Sequence, residues 1–285
     1  MISKQLSEKL AFWTFRILTI GVLILLFWIL EFIFVRGWKV ISWDFLTKMP
    51  EEGMTKGGIY PAIIGTFCLV LGAMIVAFPL GVMAGIYMNE YVLESKYKRF
   101  MKLMTNNLAG IPSIVFGLFG MALFVNTLKF GDSIIAGSLT LGLLALPVII
   151  RITEESLLAI DDSFRHGSLA LGATKFQTIR RVIFPMALPN IITGLILSIG
   201  RVSGETAPIL FTVAAYFLPK LPTSIFDQVM ALPYHLYVIA TSGTNIEQTR
   251  PIAYGTALVL VLLVLILNLI AGALRKYFGN KVKMN

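Results

Sequence analysis

The sequence predicts an all-α, polytopic membrane protein with six transmembrane helices. Its composition is the first reason: 57% of the 285 residues are hydrophobic and only 14% are charged. A chain of this length cannot bury so much apolar surface in a soluble core. The second reason is the length of its charge-free runs, because a helix needs about 20 apolar residues to cross the hydrocarbon layer. Four runs of 33, 26, 18 and 24 residues occupy 57–89, 103–128, 133–150 and 251–274.

The two remaining spans are less regular. The first, 17–30, lies between Arg16 and Glu31, whose side chains can extend toward water from the ends of the helix. The stretch "LEFIFVRGW" that follows has no small-x-small cleavage pattern, so we expect a retained helix rather than a cleaved signal peptide. The fifth span in chain order is predicted at 188–217, in a region whose only charges are Arg201 and Glu205.

The basic residues outside the spans predict the orientation of the chain. Six spans place the segments 1–16, 88–107, 153–186 and 274–285 on one side of the membrane, with 15 lysines and arginines against 7 on the other side. By the positive-inside rule, both termini are expected in the cytoplasm and the chain in the cytoplasmic membrane. Because the net charge of +9 is concentrated at membrane borders, it indicates contact with membrane lipid and argues against nucleic-acid binding.

Two of the 24 basic residues belong to neither side in this count, and Arg201 is the first of them. A central arginine is unfavourable by about 2.5–3.5 kcal/mol for insertion, so such residues usually face a cavity or a partner. Glu205 lies four residues on and is expected on the same helical face, while Gly204 and Pro208 weaken the helix beside the pair. A guanidinium binds phosphate or carboxylate groups bidentately. The pair is therefore predicted to line a substrate pathway, and the alternative is a structural pair that only neutralises itself.

Arg151 is the second arginine that this count assigns to neither side of the membrane. It follows the fourth span directly, and Glu154 three residues later is expected to repeat the Arg–Glu pairing on one helical face. The alternative is an ordinary basic flank on the cytoplasmic side. Two such pairs near membrane depth favour a polar path, so Arg151 and Glu154 join the predicted pathway residues.

The most patterned polar segment is "AIDDSFRHGSLALGATKFQTIRRVIFP", 159–185. Asp161, Asp162 and Ser163 are suitable N-cap residues, and Gly172 is a suitable C-terminal stop. A second short helix is then expected up to Pro185, which opens the next span. The segment is predicted to be a helix–turn–helix outside the membrane, which serves either as an interfacial linker or as a docking element for a cytoplasmic partner.

Several kinds of chemistry are missing from the sequence. It contains no Gly-x4-Gly-Lys-Ser/Thr, no His-Glu-x-x-His and no Gly-x-Ser-x-Gly motif, so it should not be an enzyme and should not hydrolyse nucleotide by itself. The single cysteine, Cys68, lies in an apolar run, and the two histidines, His166 and His235, are far apart in sequence. We therefore expect no metal site and no cofactor.

Five stretches resemble a known family. "ALGATKFQTIRRVIFPMALPNIITG" (170–194) resembles the cytoplasmic EAA loop of binding-protein-dependent ABC transporter permeases. Four others resemble the membrane subunits of high-affinity phosphate importers: "GGIYPAIIGT", "VIIRITEESL", "RVSGETAPILFT" and "ALPYHLY". The resemblance implies a MetI-like type I ABC importer permease. Residues 1–56 would form an N-terminal segment with the first helix and an outer loop. Residues 57–285 would form the permease core, with five helices and the coupling loop at about 161–185.

The resemblance also implies partners and a function. The chain would take up inorganic phosphate delivered by an external phosphate-binding protein, as a heterodimer with a second permease subunit and with two copies of a cytoplasmic ATPase. The ATPase would contact the coupling loop, whose matching residues are Gly172, Ala173, Thr174 and Pro185. The family's usual Glu-Ala-Ala is replaced here by 166–168, His-Gly-Ser. Three alternatives stay open: an ABC permease for another solute such as phosphonate, an ion-coupled secondary transporter, and an intramembrane enzyme such as a protease. The last is disfavoured because no serine–histidine or aspartate pair is expected at matched depth.

Overall fold

The computed structural model describes residues 4–241 and 246–284. Twelve α-helices, a short 3₁₀ helix at Glu52–Met54 and one two-stranded hairpin are found in this part of the chain. The helices are α1 Lys4–Trp38, α2 Trp43–Thr47, α3 Tyr60–Ile86, α4 Lys96–Ala109, α5 Ser113–Gly120, α6 Ile134–Leu158, α7 Asp162–Ala170, α8 Lys175–Thr178, α9 Phe184–Ser203, α10 Ala207–Leu210, α11 Leu232–Thr241 and α12 Ile246–Met284. The antiparallel strands are β1 Pro50–Glu51 and β2 Lys56–Gly57. Wider π-helical turns extend α3 to Tyr91 and α5 to Thr127, and join α8 to α9.

The all-α architecture is confirmed, and the described chain has five candidate spans, or six if one bent helix pair is counted as a span. Five helices of the described chain are long and apolar enough to cross a membrane: Glu8–Trp38, Tyr60–Tyr91, Ile134–Leu158, Lys175–Ser203 and Thr249–Asn280. The candidate sixth span is this bent pair, in which α4 and α5 meet at 99° across Gly110–Pro112. The predicted third span, 103–128, therefore begins inside α4, which is amphipathic, and only its second part is one straight apolar helix.

The centre of the bundle is the parallel pair α3 and α6. Glycines of α3 allow this close approach, since a Cβ at Gly81 would lie 2.7 Å from Ile149 Cγ2 and one at Gly85 would lie 2.7 Å from Thr153 Cβ. Helix α9 packs antiparallel to α6, with Gly194 against Ile152. The buried apolar core lies mainly among these three helices.

Helix α12 packs antiparallel to α9 and contacts α1 on its other side. A Cβ at Gly37 would lie 2.8 Å from Leu258 Cβ, and Arg36 donates a hydrogen bond to Tyr254 Oη at 3.1 Å. The apolar window of α1 is otherwise unburied in the single chain, as expected of a helix that is apolar on all sides and faces lipid. Helix α7 and the β-hairpin mark opposite ends of the bundle, called below the α7 end and the hairpin end.

The predicted fifth span differs from the structure at both ends. The short helix expected outside the membrane before Pro185 is continuous with the span, because the backbone stays helical from Lys175 to Ser203. The span also ends at Ser203 instead of continuing to Phe217. Pro185 directly follows the π-helical turn Ile179–Ile183, where the wider hydrogen-bond spacing already departs from the regular α-helix.

Candidate functional site

The break at the end of α9 is the first component of the site. Gly204 caps the helix and its N–H bonds back to Arg201 O at 3.3 Å, and the short helix α10 begins three residues later with Pro208 in its first turn. The prediction that Gly204 and Pro208 weaken the helix here is therefore confirmed. Glu205 lies beyond the helix and not on its face, so the expected shared helical face is wrong for this pair.

Arg201 and Glu205 nevertheless remain neighbours. Arg201 Nε lies 3.7 Å from Glu205 Oε1, with side chains 35% and 19% exposed. This distance is an ion pair without a hydrogen bond. Within residues 4–241 and 246–284, the guanidinium has no hydrogen-bond acceptor, so its directed donors stay available.

The depth of Arg201 follows from the packing of α9 on α12. A Cβ at the neighbouring Gly200 would lie 3.7 Å from Asn268 Nδ2. Asn268 follows Arg250 by 18 residues and precedes Arg275 by 7 within the charge-free run of α12. At a rise of 1.5 Å per residue, these intervals are about 27 and 10 Å. Arg201 thus lies level with the apolar part of α12, away from the charged residues at either end of that run.

Two further polar side chains lie close to Arg201 in the bundle. Ser198 is one helical turn before Arg201 and fully buried, and its Oγ has no hydrogen-bond partner in the described chain. Asn268 Oδ1 is buried in the same way. Burial of polar atoms without partners is unfavourable in an apolar layer, and such groups cluster where polar species pass or bind. Our sequence interpretation missed both residues, although Asn268 is the only polar side chain between 257 and 274.

The predicted Arg151–Glu154 pair is wrong. Arg151 Nε donates to Glu155 Oε1 at 2.8 Å, and both side chains are well exposed on the single chain. Glu154 is 12% exposed and pairs instead with Lys102 of α4 at 2.6 Å. These four charged residues line a cavity of about 250 Å³ between α4 and α6. Since Gly194 packs beside residue 152, this cluster lies about 10 Å nearer the α7 end than Arg201.

Helix α7 and the turn after it form the second component. Asp161 caps the helix and accepts from Ser163 N at 2.8 Å, and bonds from Ser163 hold the pKa of Asp161 below its usual value. Gly172 has φ +81°, and the N–H groups of residues 172 and 173 bond to the carbonyls of 169 and 168. This is a Schellman turn, which confirms the predicted glycine stop. Thr174 and Gln177 then form a capping box that starts α8.

Apolar side chains are exposed around this turn. Leu171 is 91% exposed and Phe176 is 60% exposed, and Phe164 and Leu169 also face outward from the single chain. The helix carries charged residues at its start, so this end of the bundle combines polar and apolar surface. Exposed apolar patches with a polar rim indicate a protein contact. Gly172, Ala173 and Thr174 lie together at the centre of this surface, whereas Pro185 lies further along in the first turn of α9.

A buried ion pair attaches α7 to the bundle, and the sequence did not reveal it. Arg165 Nη2 donates to Glu90 Oε1 at 2.8 Å, and the side chains are 17% and 7% exposed. The bond to Glu90 holds the pKa of Arg165 above its usual value. The partners are 75 residues apart, so no local spacing could have indicated the contact.

No group of three or more His, Cys, Asp or Glu side chains suited to a metal ion occurs among the described residues. Cys68 is a partly buried free cysteine packed against the core, and His235 is fully buried in α11. The arrangement offers fixed charge and hydrogen-bond donors inside an apolar bundle, which suits binding and passage of an anion rather than bond-making chemistry.

Comparison with known proteins gives a consistent result. Residues 77–284 match the family described as "Binding-protein-dependent transport system inner membrane component". The "Probable ABC transporter permease protein YqgI" of Bacillus subtilis (strain 168) is 33% identical over 296 residues, which is 100% of both chains. The "Phosphate transport system permease protein PstA" of Mycobacterium leprae (strain TN) is 40% identical over 89% of this chain and 83% of its own length. The protein of the same name in Haemophilus influenzae (strain Rd) is 32% identical over 92% and 91%.

Solved structures share the fold. An inward-facing MetNI methionine ABC transporter matches with a TM-score of 0.60 and 20% identity, over 78% of this chain and 94% of that one. A bacterial ABC transporter that imports the acidic polysaccharide alginate matches with a TM-score of 0.69 and 13% identity, over 96% and 98%. The fold is that of a MetI-like ABC importer permease.

Proposed function

This chain belongs to the family of binding-protein-dependent transport system inner membrane components, and we propose that it is the permease subunit of an ATP-driven importer of inorganic phosphate. The observation that carries the proposal is Arg201, a guanidinium with free donors at a break in a spanning helix. Similarity to phosphate permeases at up to 40% identity over 89% of the chain supports the choice of phosphate. As a multi-pass ABC permease, the chain lies in a cell membrane.

Arg201 acts as a transient stop for the ion. Phosphate carries one to two negative charges, and the loss of its water in a low-dielectric layer is prohibitive without compensation. The guanidinium supplies charge and two directed donors at a depth where the neighbouring helices are apolar. Glu205, at 3.7 Å, balances the charge of the empty site and keeps anion binding weak enough for release. Ser198 and Asn268 add polar atoms beside the same path.

The cluster around Arg151 is the proposed second position on the path. It lies about 10 Å nearer the α7 end and combines Arg151 and Lys102 with two glutamates. Because each basic side chain there already has a carboxylate partner, the cluster would attract an anion less strongly than Arg201 does. A weaker position beyond a stronger one suits release of the ion at the α7 end.

The surface around Gly172 is the proposed contact for the ATPase. It combines a rigid Schellman turn with exposed apolar side chains at one end of the bundle, while the sequence has no nucleotide-binding motif of its own. ABC importers combine permeases with ATPase subunits, and one solved structure of this fold is a bacterial alginate ABC transporter in complex with a pentasaccharide-bound periplasmic protein. We propose a second permease subunit, two ATPase copies and an external phosphate-binding protein as partners, with the α7 end in the cytoplasm.

Phosphate uptake by the purified complex in proteoliposomes tests this function. Arg201→Gln should lower the rate roughly 10- to 100-fold, because hydrogen bonds to a charged group contribute about 1.5–3 kcal/mol. Arg201→Lys should also lose most of the uptake activity, because lysine lacks the planar guanidinium with its paired donors. Glu205→Gln should lose less uptake activity than Arg201→Gln. Arg250→Gln removes the same charge from an exposed position of α12 and serves as the matched control.

Three outcomes would contradict the proposal. Wild-type uptake by Arg201→Gln, in a complex that assembles normally, would make the pair structural. Uptake of phosphonate in preference to phosphate would assign another solute to the same machinery. Transport that persists after ATP depletion would favour an ion-coupled secondary transporter.

A further inference from the structure

Arg165 makes more hydrogen bonds than any other side chain of the described residues. Its Nη2 donates to Glu90 Oε1 and to Leu157 O, both at 2.8 Å. Its Nη1 donates to Ile160 O at 2.9 Å and to Asp162 Oδ1 at 3.0 Å, and its Nε approaches both Glu90 oxygens at 3.3 and 3.4 Å. All three nitrogens are therefore engaged, which only a guanidinium can achieve.

These partners belong to three different parts of the bundle. Glu90 lies in the wide turn that ends the α3 span, and Leu157 is in the last turn of α6. Asp162 is on α7 itself. A cationic side chain at the C-terminal carbonyls of a helix is favourable, because those carbonyls carry partial negative charge and lack partners in the helix. Arg165 thus fixes α7 to the ends of both central helices at one point.

The remaining attachments of α7 are weaker. The hydroxyls of Ser168 and Thr178 lie 2.9 Å apart and join α7 to the start of α8. None of the residues of α7 is buried, so apolar packing adds little. A cavity of about 430 Å³ lies between this helix, the 89–98 region and α8, with Arg165 and Glu90 in its wall. Few packed side chains would therefore hold α7 in place if the ion pair were broken.

We propose that Arg165 and Glu90 form the positioning pair that makes α7 move as one body with α3 and α6. This inference rests on the proposed function, in which a partner pushes on α7 during each cycle of ATP hydrolysis. With the pair intact, that displacement reaches the central helices and, through α9, the break at Arg201. With the pair lost, α7 tilts against its cavity and ATP is hydrolysed without a matching movement of the pathway.

The first test measures phosphate transported per ATP hydrolysed in proteoliposomes that contain the full complex. Glu90→Gln keeps an acceptor oxygen but removes the charge, and we expect the ratio to fall on the order of tenfold. Asp162→Asn is the matched control, because it removes the 78% exposed carboxylate from the same guanidinium and should leave the ratio within about twofold. In Arg165→Gln, the ratio of phosphate transported to ATP hydrolysed should fall further. The double variant Glu90→Gln/Arg165→Gln should give the same ratio as Arg165→Gln alone.

The ratio separates coupling from assembly, since a complex that merely folds less well loses both activities together. A normal ratio in Glu90→Gln, or losses that multiply in the double variant, would overturn the inference. Independent effects would mean that the two residues do not act as one unit.

A second test needs ATP but no solute. Spin labels on Ser163→Cys in α7 and Ile75→Cys in α3, with Cys68→Ala, report the distance between the two helices. We expect this distance to stay the same with and without ATP in the otherwise unchanged complex, and to change with ATP in Glu90→Gln. A distance that already changes in the otherwise unchanged complex would overturn the inference. If labels behave as expected but phosphate is not transported, the proposed substrate fails and the positioning pair stands.

Discussion

Replacement of Gly172 separates backbone strain from partner contact at the proposed ATPase surface. Gly172 has φ +81°, and a Cβ added there meets nothing within 4 Å, so Gly172→Ala suffers strain without a clash. An L-residue in this conformation costs about 1–2 kcal/mol. Gly167→Ala makes the same chemical change inside α7, also in open space, where alanine should gain about 1 kcal/mol over glycine. The two variants should therefore differ by about 2–3 kcal/mol in the stability of this turn.

The assay is retention of the ATPase during purification of the complex, together with phosphate uptake. A cost of 1–2 kcal/mol corresponds to about a 5- to 30-fold shift toward a displaced turn, so Gly172→Ala should lose ATPase and Gly167→Ala should keep it. Gly172→Asn and Gly172→Asp then differ only in charge, and both tolerate positive φ better than alanine. If a partner packs on the turn, Asp should abolish transport while Asn retains part of it. Equal retention by the two alanine variants would refute the strain argument, and equal behaviour of Asn and Asp would refute the contact.

Two other predictions concern stability and orientation. Burial lowers the pKa of His235 in α11, which lies outside the candidate membrane spans, to about 4. The folded chain then holds a neutral ring, and stability should fall as the pH drops from about 6.5 toward 4, by up to about 3 kcal/mol. Thermal unfolding in detergent should show this loss in the wild type and less of it in His235→Leu, and parallel pH profiles would contradict it. A reporter fused after Asn285 should be cytoplasmic and one inserted near Thr244 external, and both on one side would contradict six spans. Thr244 and Asn285 lie outside the described residues.

Local patterns predicted the parts of the structure that depend on neighbouring residues. The charge-free runs located the spans, and the polar start and glycine end of 161–172 located α7 with its Schellman turn. Gly204 and Pro208 likewise predicted a weakened helix at the correct place, although the predicted span continued past them to residue 217. In each case, the backbone conformation is decided within about one turn of the residue that signals it.

The bend between α4 and α5 shows where this approach is insufficient. The run 103–128 has no charge, so its length alone suggested one straight span. Gly110 and Pro112 were the available signals for a break, and the structure bends there by 99°. The amphipathic pattern of α4, with basic residues at its start, is typical of a helix at the membrane surface. It was a second signal that the apolar run is not one straight helix.

Charge pairing was the least predictable feature. From Arg151, both Glu154 and Glu155 are within reach along the helix, and spacing cannot choose between them. The choice is made by Lys102, which reaches Glu154 from α4 and leaves Glu155 for Arg151. The pair Arg165–Glu90 depends in the same way on how distant segments pack.

The two arginines with the clearest roles differ in what surrounds them and not in residue type. Arg165 is held by a carboxylate at 2.8 Å and by two backbone carbonyls, so its donors are occupied and it can only fix one element to another. Arg201 has one described neighbour of opposite charge, at 3.7 Å, and lies beside polar atoms without partners in the described chain. A guanidinium whose donors are free can accept an anion and release it again, because binding then requires no internal bond to be broken. The same reasoning explains why loose pairing at Arg201 favours transport and tight pairing at Arg165 favours rigidity.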